Sequence, residues 1–261
     1  MLNPRWIFCV IVYLVLMPLA GCGGGGASGG ITTGSPAPNP ESFSCPAGQE
    51  DVMQFFAMSQ QNRANHFMSG QPNPIYTEVF PDDDFAVSGY WFWLKSASAH
   101  GFDVKAFDQN NIYIRSTELT WTDNTTFKRF NQDLPIAPRC LSPDAAGPEI
   151  QVANTEFQYF ASCMPYKPSN LANAVTSLDV PLAMDTGGNL GQQSTRVLHY
   201  RYHCDGAYQN CADEEQYFLA KGYGLWQWKH YNSGALVNSA LMNDFAAGSA
   251  TATLPCPQSY Q

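Results

Sequence analysis

The sequence predicts a β-rich α+β fold: an antiparallel sandwich or half-barrel-like sheet with a peripheral N-terminal helix. Three observations predict it. Residues 197–204 (VLHYRYHC) alternate, with Leu198, Tyr200, Tyr202 and Cys204 on one face and Val197, His199, Arg201 and His203 on the other. Aromatic and β-branched runs recur between turn-forming clusters such as Asp108-Gln109-Asn110-Asn111 and Asn232-Ser233-Gly234. Residues 48–68 carry the best helical spacing in the chain: Val52, Phe55, Phe56, Ser59, Arg63 and Phe67 give a partial apolar stripe, and Pro72 and Pro74 end it.

The elements follow in order. Pro81-Asp82-Asp83-Asp84 reads as a turn and residues 87–95 (VSGYWFWLK) as a buried aromatic strand. Residues 102–107 and 112–121 form a hairpin across the Asp108 cluster. Asp123 is placed to cap a short helix through Phe127 and Phe130. Residues 135–148 (PIAPRCLSPDAAGP) are a proline-rich connection and the one candidate for an internal boundary. Residues 156–161 read as a strand and 172–178 as a short helix or turn. Residues 197–204, 216–220, 225–231 and 235–243 are strands of an antiparallel meander, with a glycine-bent turn or bulge at Lys221-Gly222-Tyr223-Gly224. No repeat of about 20–50 residues is visible.

Charged residues make up 13% of the chain, against about 25% in ordinary domains. The formal charge is −9. An acidic body gains nothing from nucleic acid or from an anionic lipid surface, so both are excluded as electrostatic partners.

The chain opens with Arg5, an apolar run from Trp6 to Met17, and small residues leading to Leu19-Ala20-Gly21-Cys22. The apolar run is short of the about 20 residues a spanning helix needs. This head has the zones of a secretory signal, and its last four residues resemble the lipobox of bacterial lipoproteins. The resemblance implies a diacylglyceryl group on the Cys22 thiol, cleavage after Gly21, acylation of the new amine and anchorage in a lipid bilayer. Gly23 stands where an aspartate would favour retention at the inner membrane. The expected location is therefore the cell envelope, at the outer membrane or cell surface. The domain reading is a signal peptide at 1–21, a lipidated cysteine and Gly/Pro linker at 22–44, and a single disulfide-stabilised domain at 45–261. Gly23-Gly24-Gly25-Gly26 keeps the near half of the linker flexible, and Pro36, Pro38 and Pro40 extend the far half. Residues 216–228 (QYFLAKGYGLWQW) also resemble a hairpin of curved-sheet envelope lipoproteins.

Of eight cysteines, Cys9 leaves with the signal and Cys22 takes lipid. Cys45, Cys140, Cys163, Cys204, Cys211 and Cys256 remain, an even set that an exported domain uses as disulfides. The preferred pairing joins Cys204 to Cys211 across a turn-rich loop, Cys140 to Cys163, and Cys45 to Cys256.

Two groups of residues are candidates for ligand binding. Trp91 with Trp93, and Trp226 with Trp228, lie two apart on strands and so share a face. A planar ring flanked by amides suits the apolar face of a sugar. His199, Arg201 and His203 form a cationic row suited to a carboxylate or phosphate. Along a strand the two histidines stand about 13 Å apart, too far for one metal ion. No metal and no cofactor is expected. His203, Cys204 and Cys211 lack a zinc spacing, and Asp82-Asp83-Asp84 and Asp213-Glu214-Glu215 lack that of a calcium loop. Catalytic motifs of the H-E-x-x-H and P-loop kinds are absent from the sequence. A carboxylate pair such as Glu118 with Glu156 is a candidate for acid–base work on a glycosidic bond. Asn124-Thr125-Thr126 matches a glycosylation triplet without a role in such a setting. The expected function is a lipid-anchored, non-enzymatic binding or structural module that meets a glycan or an envelope protein. The alternative is an envelope polysaccharide or peptidoglycan hydrolase.

Overall fold

A computed structural model describes residues 43–56, 63–67, 74–80, 87–96, 99–118, 127–155, 157–168, 172–241 and 244–245. Strands dominate them. The first are β1 (Glu50–Asp51), the helical turn α1 (Met53–Phe56), β2 (Arg63–Phe67), β3 (Pro74–Phe80), β4 (Val87–Ser96), β5 (Ala99–Phe107) and β6 (Asn111–Glu118). Then come β7 (Phe127–Pro138), β8 (Cys140–Leu141), β9 (Ile150–Thr155), β10 (Phe157–Ala161), β11 (Met164–Pro168) and β12 (Ala172–Leu178). The last are β13 (Leu182–Asp185), β14 (Gln192–Cys204), β15 (Cys211–Ala220), β16 (Gly224–Asn232), β17 (Ala235–Leu241) and β18 (Asp244–Phe245).

All pairings are antiparallel among the described residues. One sheet runs β11-β10-β7-β6-β5-β4-β3-β2-β18, a second β17-β16-β15-β14-β12-β9 with β13 on β14, and β1 pairs with β8. Neither order closes on itself, so no barrel forms among these strands. One apolar cluster joins Ile112, Ile114, Phe130 and Leu134 of the first sheet to Leu198, Tyr200, Tyr217 and Leu219 of the second.

The N-terminal helix is far shorter than its spacing predicts, and it is not peripheral. Asp51 caps it, its Oδ1 accepting the Met53 N–H at 3.0 Å. The described turn covers Met53–Phe56, and Arg63–Phe67, expected in the same helix, pairs with β3 instead. The partial stripe was a weak helix signal, and pairing with a neighbouring strand outweighs it. Val52, Met53, Phe55 and Phe56 are all buried in the apolar cluster. Each such side chain contributes about 1.5–3 kcal/mol of burial.

Two further expectations change. Residues 172–178 form a strand between β9 and β14. Ala174, Val175, Thr176 and Leu178 are all buried there, so the segment shows none of the alternation that marks a half-exposed strand. The helix expected through Phe127 and Phe130 is β7, paired with β6 and β10. Its cap, Asp123, lies outside the described residues. The proline-rich stretch 135–148 is partly strand, since Pro135 and Pro138 sit in β7 opposite β6 and Cys140–Leu141 pairs with β1.

The disulfides correct two of three expected pairings. Cys204–Cys211 forms as expected. Cys45 pairs with Cys140, so neither Cys140–Cys163 nor Cys45–Cys256 exists. The register explains this: Asp51 lies opposite Cys140, which brings the start of the domain onto β8. Cys163 is also disulfide-bonded, to a partner outside the described residues.

Two arginines fasten this N-terminal region. Arg139 donates to Asp51 and to the Asp108 carbonyl, and its guanidinium lies 3.5 Å from the centre of the Phe43 ring. Arg196 of β14 is 0% exposed. It donates to the carbonyls of Ser142, Pro143, Ala145 and Asp179 and to Glu50 at 3.0 Å. Lys221 supplies a second cation to Glu50 at 2.7 Å. A buried guanidinium is tolerated only with acceptors such as these around it.

Candidate functional site

The C-terminal meander places the candidate site, and the Cys204–Cys211 bond sets its register. Asp205 organises the loop between the two cysteines, accepting from the Gln209 N–H and the Asn210 side-chain amide. Those hydrogen bonds, Asn210 first, hold the Asp205 carboxyl below its ordinary range. With Cys204 opposite Cys211, Tyr202 falls opposite Asp213, Arg201 opposite Glu214 and Tyr200 opposite Glu215. On the next strand Tyr231 faces Glu214, His230 faces Glu215 and Trp228 faces Tyr217. The period of two then sorts these residues onto two faces.

The inner face carries a carboxylate network at the rim of the apolar cluster. Asp213 accepts from Asn232 Nδ2 at 2.9 Å, and its oxygens lie 2.8 Å from His203 Nδ1 and 3.2 Å from His230 Nε2. Burial alone would raise its pKa, but the contacts to Asn232, His203 and His230 outweigh burial and lower it. Glu215 accepts from the Tyr202 hydroxyl, the Tyr217 hydroxyl and Trp228 Nε1. Burial first, then the negative charges of Glu215 and Asp213, push the Tyr202 phenol well above its ordinary range. Tyr202 is therefore a neutral donor here.

The outer face presents a row in register across four strands: Arg201, Glu214, Tyr231 and Leu236. Arg201 donates to Glu149 at 2.8 Å. Glu214 lies 2.7 Å from His199 Nδ1 and accepts from Gln216 at 2.9 Å. Burial would raise the Glu214 pKa, yet Gln216, His199 and Arg201 together lower it. His199 Nε2 meets Asp179 at 3.1 Å, so both ring nitrogens face carboxylates. A cavity of about 200 Å³ lies in this face, lined by Arg201, Gln209, Glu214 and Tyr231 together with Cys211, Ala212 and Gly234.

The structure separates the residues that the sequence groups. His203 does not share the face of His199 and Arg201. Its φ is +54°, and the register with β12 shifts beside it, which turns the ring onto Asp213. Trp226 and Trp228 do not share a face either. Leu219 pairs with Leu225 and Phe218 with Gln227, leaving Trp226 as the extra residue of a bulge. Trp226 is 6% exposed, packs edge-on against Phe218 and donates to Thr195. Trp228 is partly buried against the apolar cluster with its N–H on Glu215. Neither ring lies open on the surface.

Trp91 and Trp93 belong to β4, and their side chains lie outside the described residues, as do Cys22, Cys256, Asp82-Asp83-Asp84, Asn124, Glu156 and the Glu118 side chain. Asp213, Glu214 and Glu215 alternate between faces and cannot converge on one cation. Among the described residues no group of three His, Cys, Asp or Glu side chains is arranged to hold a metal ion.

Sequence reasoning missed the Asp213 and Glu215 networks. The cysteine pair held the signal, since counting back in step from Cys204 and Cys211 gives the facing residues. No protein-family model, no curated protein and no solved structure matches this chain.

Proposed function

We propose that this chain is a lipid-anchored protein of the bacterial envelope whose folded part works as a non-enzymatic binding module. Anchorage rests on Leu19-Ala20-Gly21-Cys22 and the Gly/Pro linker that follows. Two acyl chains on one cysteine hold a protein durably, where a single chain binds marginally. The same reading takes the two sheets as layers of a sandwich, which the apolar cluster drawn from both supports.

One observation carries the non-enzymatic part. The carboxylates of the meander are engaged: Asp213 and Glu215 each have three partners, and Glu214 has two. A glycosidic acid needs a carboxyl with a raised pKa aimed at an open cleft. Asp213 and Glu214 are shifted down instead. The outer face, with its cavity and its exposed Leu236, is the contact surface this reading assigns.

Cys22→Ser tests the anchor: it should abolish labelling by a fatty-acid probe and release the protein from membranes, and persistent label would refute the lipobox. Incubation of the purified protein with polysaccharides and peptidoglycan tests the rest. No new reducing ends should appear, and steady release of them would make the protein a hydrolase.

A further inference from the structure

We infer that the outer-face cavity binds one neutral pyranose unit of a glycan, with Tyr231 under its apolar C–H face, Leu236 extending that apolar surface beside Tyr231, and Arg201, Glu214 and Gln209 on its hydroxyls. The inference rests on the binding-module reading and names the ligand class of the same surface. It moves the sugar contact away from Trp226 and Trp228, whose rings are committed elsewhere.

The geometry comes from register. Arg201, Glu214, Tyr231 and Leu236 occupy directly facing positions on β14, β15, β16 and β17. At the spacing of adjacent strands the row is about 14 Å long. Its apolar half lies at β16–β17, where Leu236 stands 54% exposed beside Tyr231. Its polar half lies at β14–β15, and the cysteine-closed loop brings Gln209 to the rim. A flat amphipathic ring with hydroxyls along one edge fits such a divided surface.

Charge narrows the class. Arg201 already holds Glu149 at 2.8 Å and faces Glu214 across the strand pair. An anionic ligand would meet two carboxylates beside its one guanidinium, and a cation would meet Arg201. A neutral polyol both donates to Glu214 and accepts from Arg201 and the Gln209 amide. Size narrows it again, because a cavity of about 200 Å³ lies below the ~300–1,000 Å³ of sites for larger ligands.

The test is a pyranoside and oligosaccharide array probed with the full chain in detergent micelles, followed by titration calorimetry on the best glycan. Tyr231→Ala should weaken binding at least ~10-fold and Tyr231→Phe should retain it, while Glu214→Gln should weaken it several-fold. If Tyr231→Ala fails to fold, Leu236→Ser and Gln209→Ala take its place, since both residues are exposed. Binding to no pyranoside, or binding unchanged by all of these substitutions, overturns the site and leaves anchorage untouched. Cleavage of a bound glycan overturns the non-enzymatic reading while leaving the site in place.

Discussion

Arg196 is the residue on which the fold spends most of its polar capacity. Its NH1 and NH2 groups reach four carbonyls and Glu50, and only Nε lacks a partner. Arg196→Met would remove the donor from four carbonyls and leave Glu50 with Lys221 alone. Urea denaturation should show a loss of about 3–5 kcal/mol, the range for breaking a buried ion pair. Asp213 and Glu214 give a second prediction. Their folded pKa values lie below the ordinary 3.8 and 4.5. The folded protein thus binds fewer protons than the unfolded chain as pH approaches that range. Their stabilisation is complete above the ordinary values and is lost as pH falls through the lowered ones. Melts taken from pH 6 downward should show this fall, and Asp213→Asn should make it shallower.

At the scale of the element, the two disulfides whose ends are both described differ in reach. Cys45–Cys140 spans 95 positions and Cys204–Cys211 spans 7. The chain-entropy relation gives about 4.7 kcal/mol for the first loop and about 2.5 kcal/mol for the second. Cys45→Ser/Cys140→Ser should therefore lower the denaturation midpoint about twice as much as Cys204→Ser/Cys211→Ser. Equal losses would count against the loop-entropy account. The meander containing the short loop was legible in sequence, because residues 197–202 and 227–231 keep their alternation. Two devices were not legible. The bulge at Trp226 and the turned backbone at His203 each insert one position, and one inserted position moves a side chain to the opposite face. Neither site contains a glycine to announce it.

For the whole molecule, the sequence carried the strand-rich class but not the sheet partners. β12 was misread because a strand buried on both sides has no period to read, and β2 because a weak helical stripe masked it. The Cys45–Cys140 bond was missed because β1 and β8, two residues each, leave no pattern of their own. The second sheet also exposes a consequence at its end. Among the described residues nothing pairs with the outer edge of β17, a strand without charge or proline. Leu236 and Val237 stand 54% and 56% exposed there. Such edges recruit other chains. Val237→Lys should change stability by less than about 0.5 kcal/mol and raise the concentration at which light scattering reports association.

Glu50 and Arg196 are separated by 146 positions. Any route that delivers the polypeptide head first, whether a ribosome or an export channel, releases the carboxylate long before its guanidinium arrives. Until then the opening segment, with Phe55 and Phe56, lacks the second sheet's share of its packing and stays a target for holdase chaperones and proteases. Maturation is therefore a late event in this molecule, and fragments ending before β14 should emerge unfolded and short-lived.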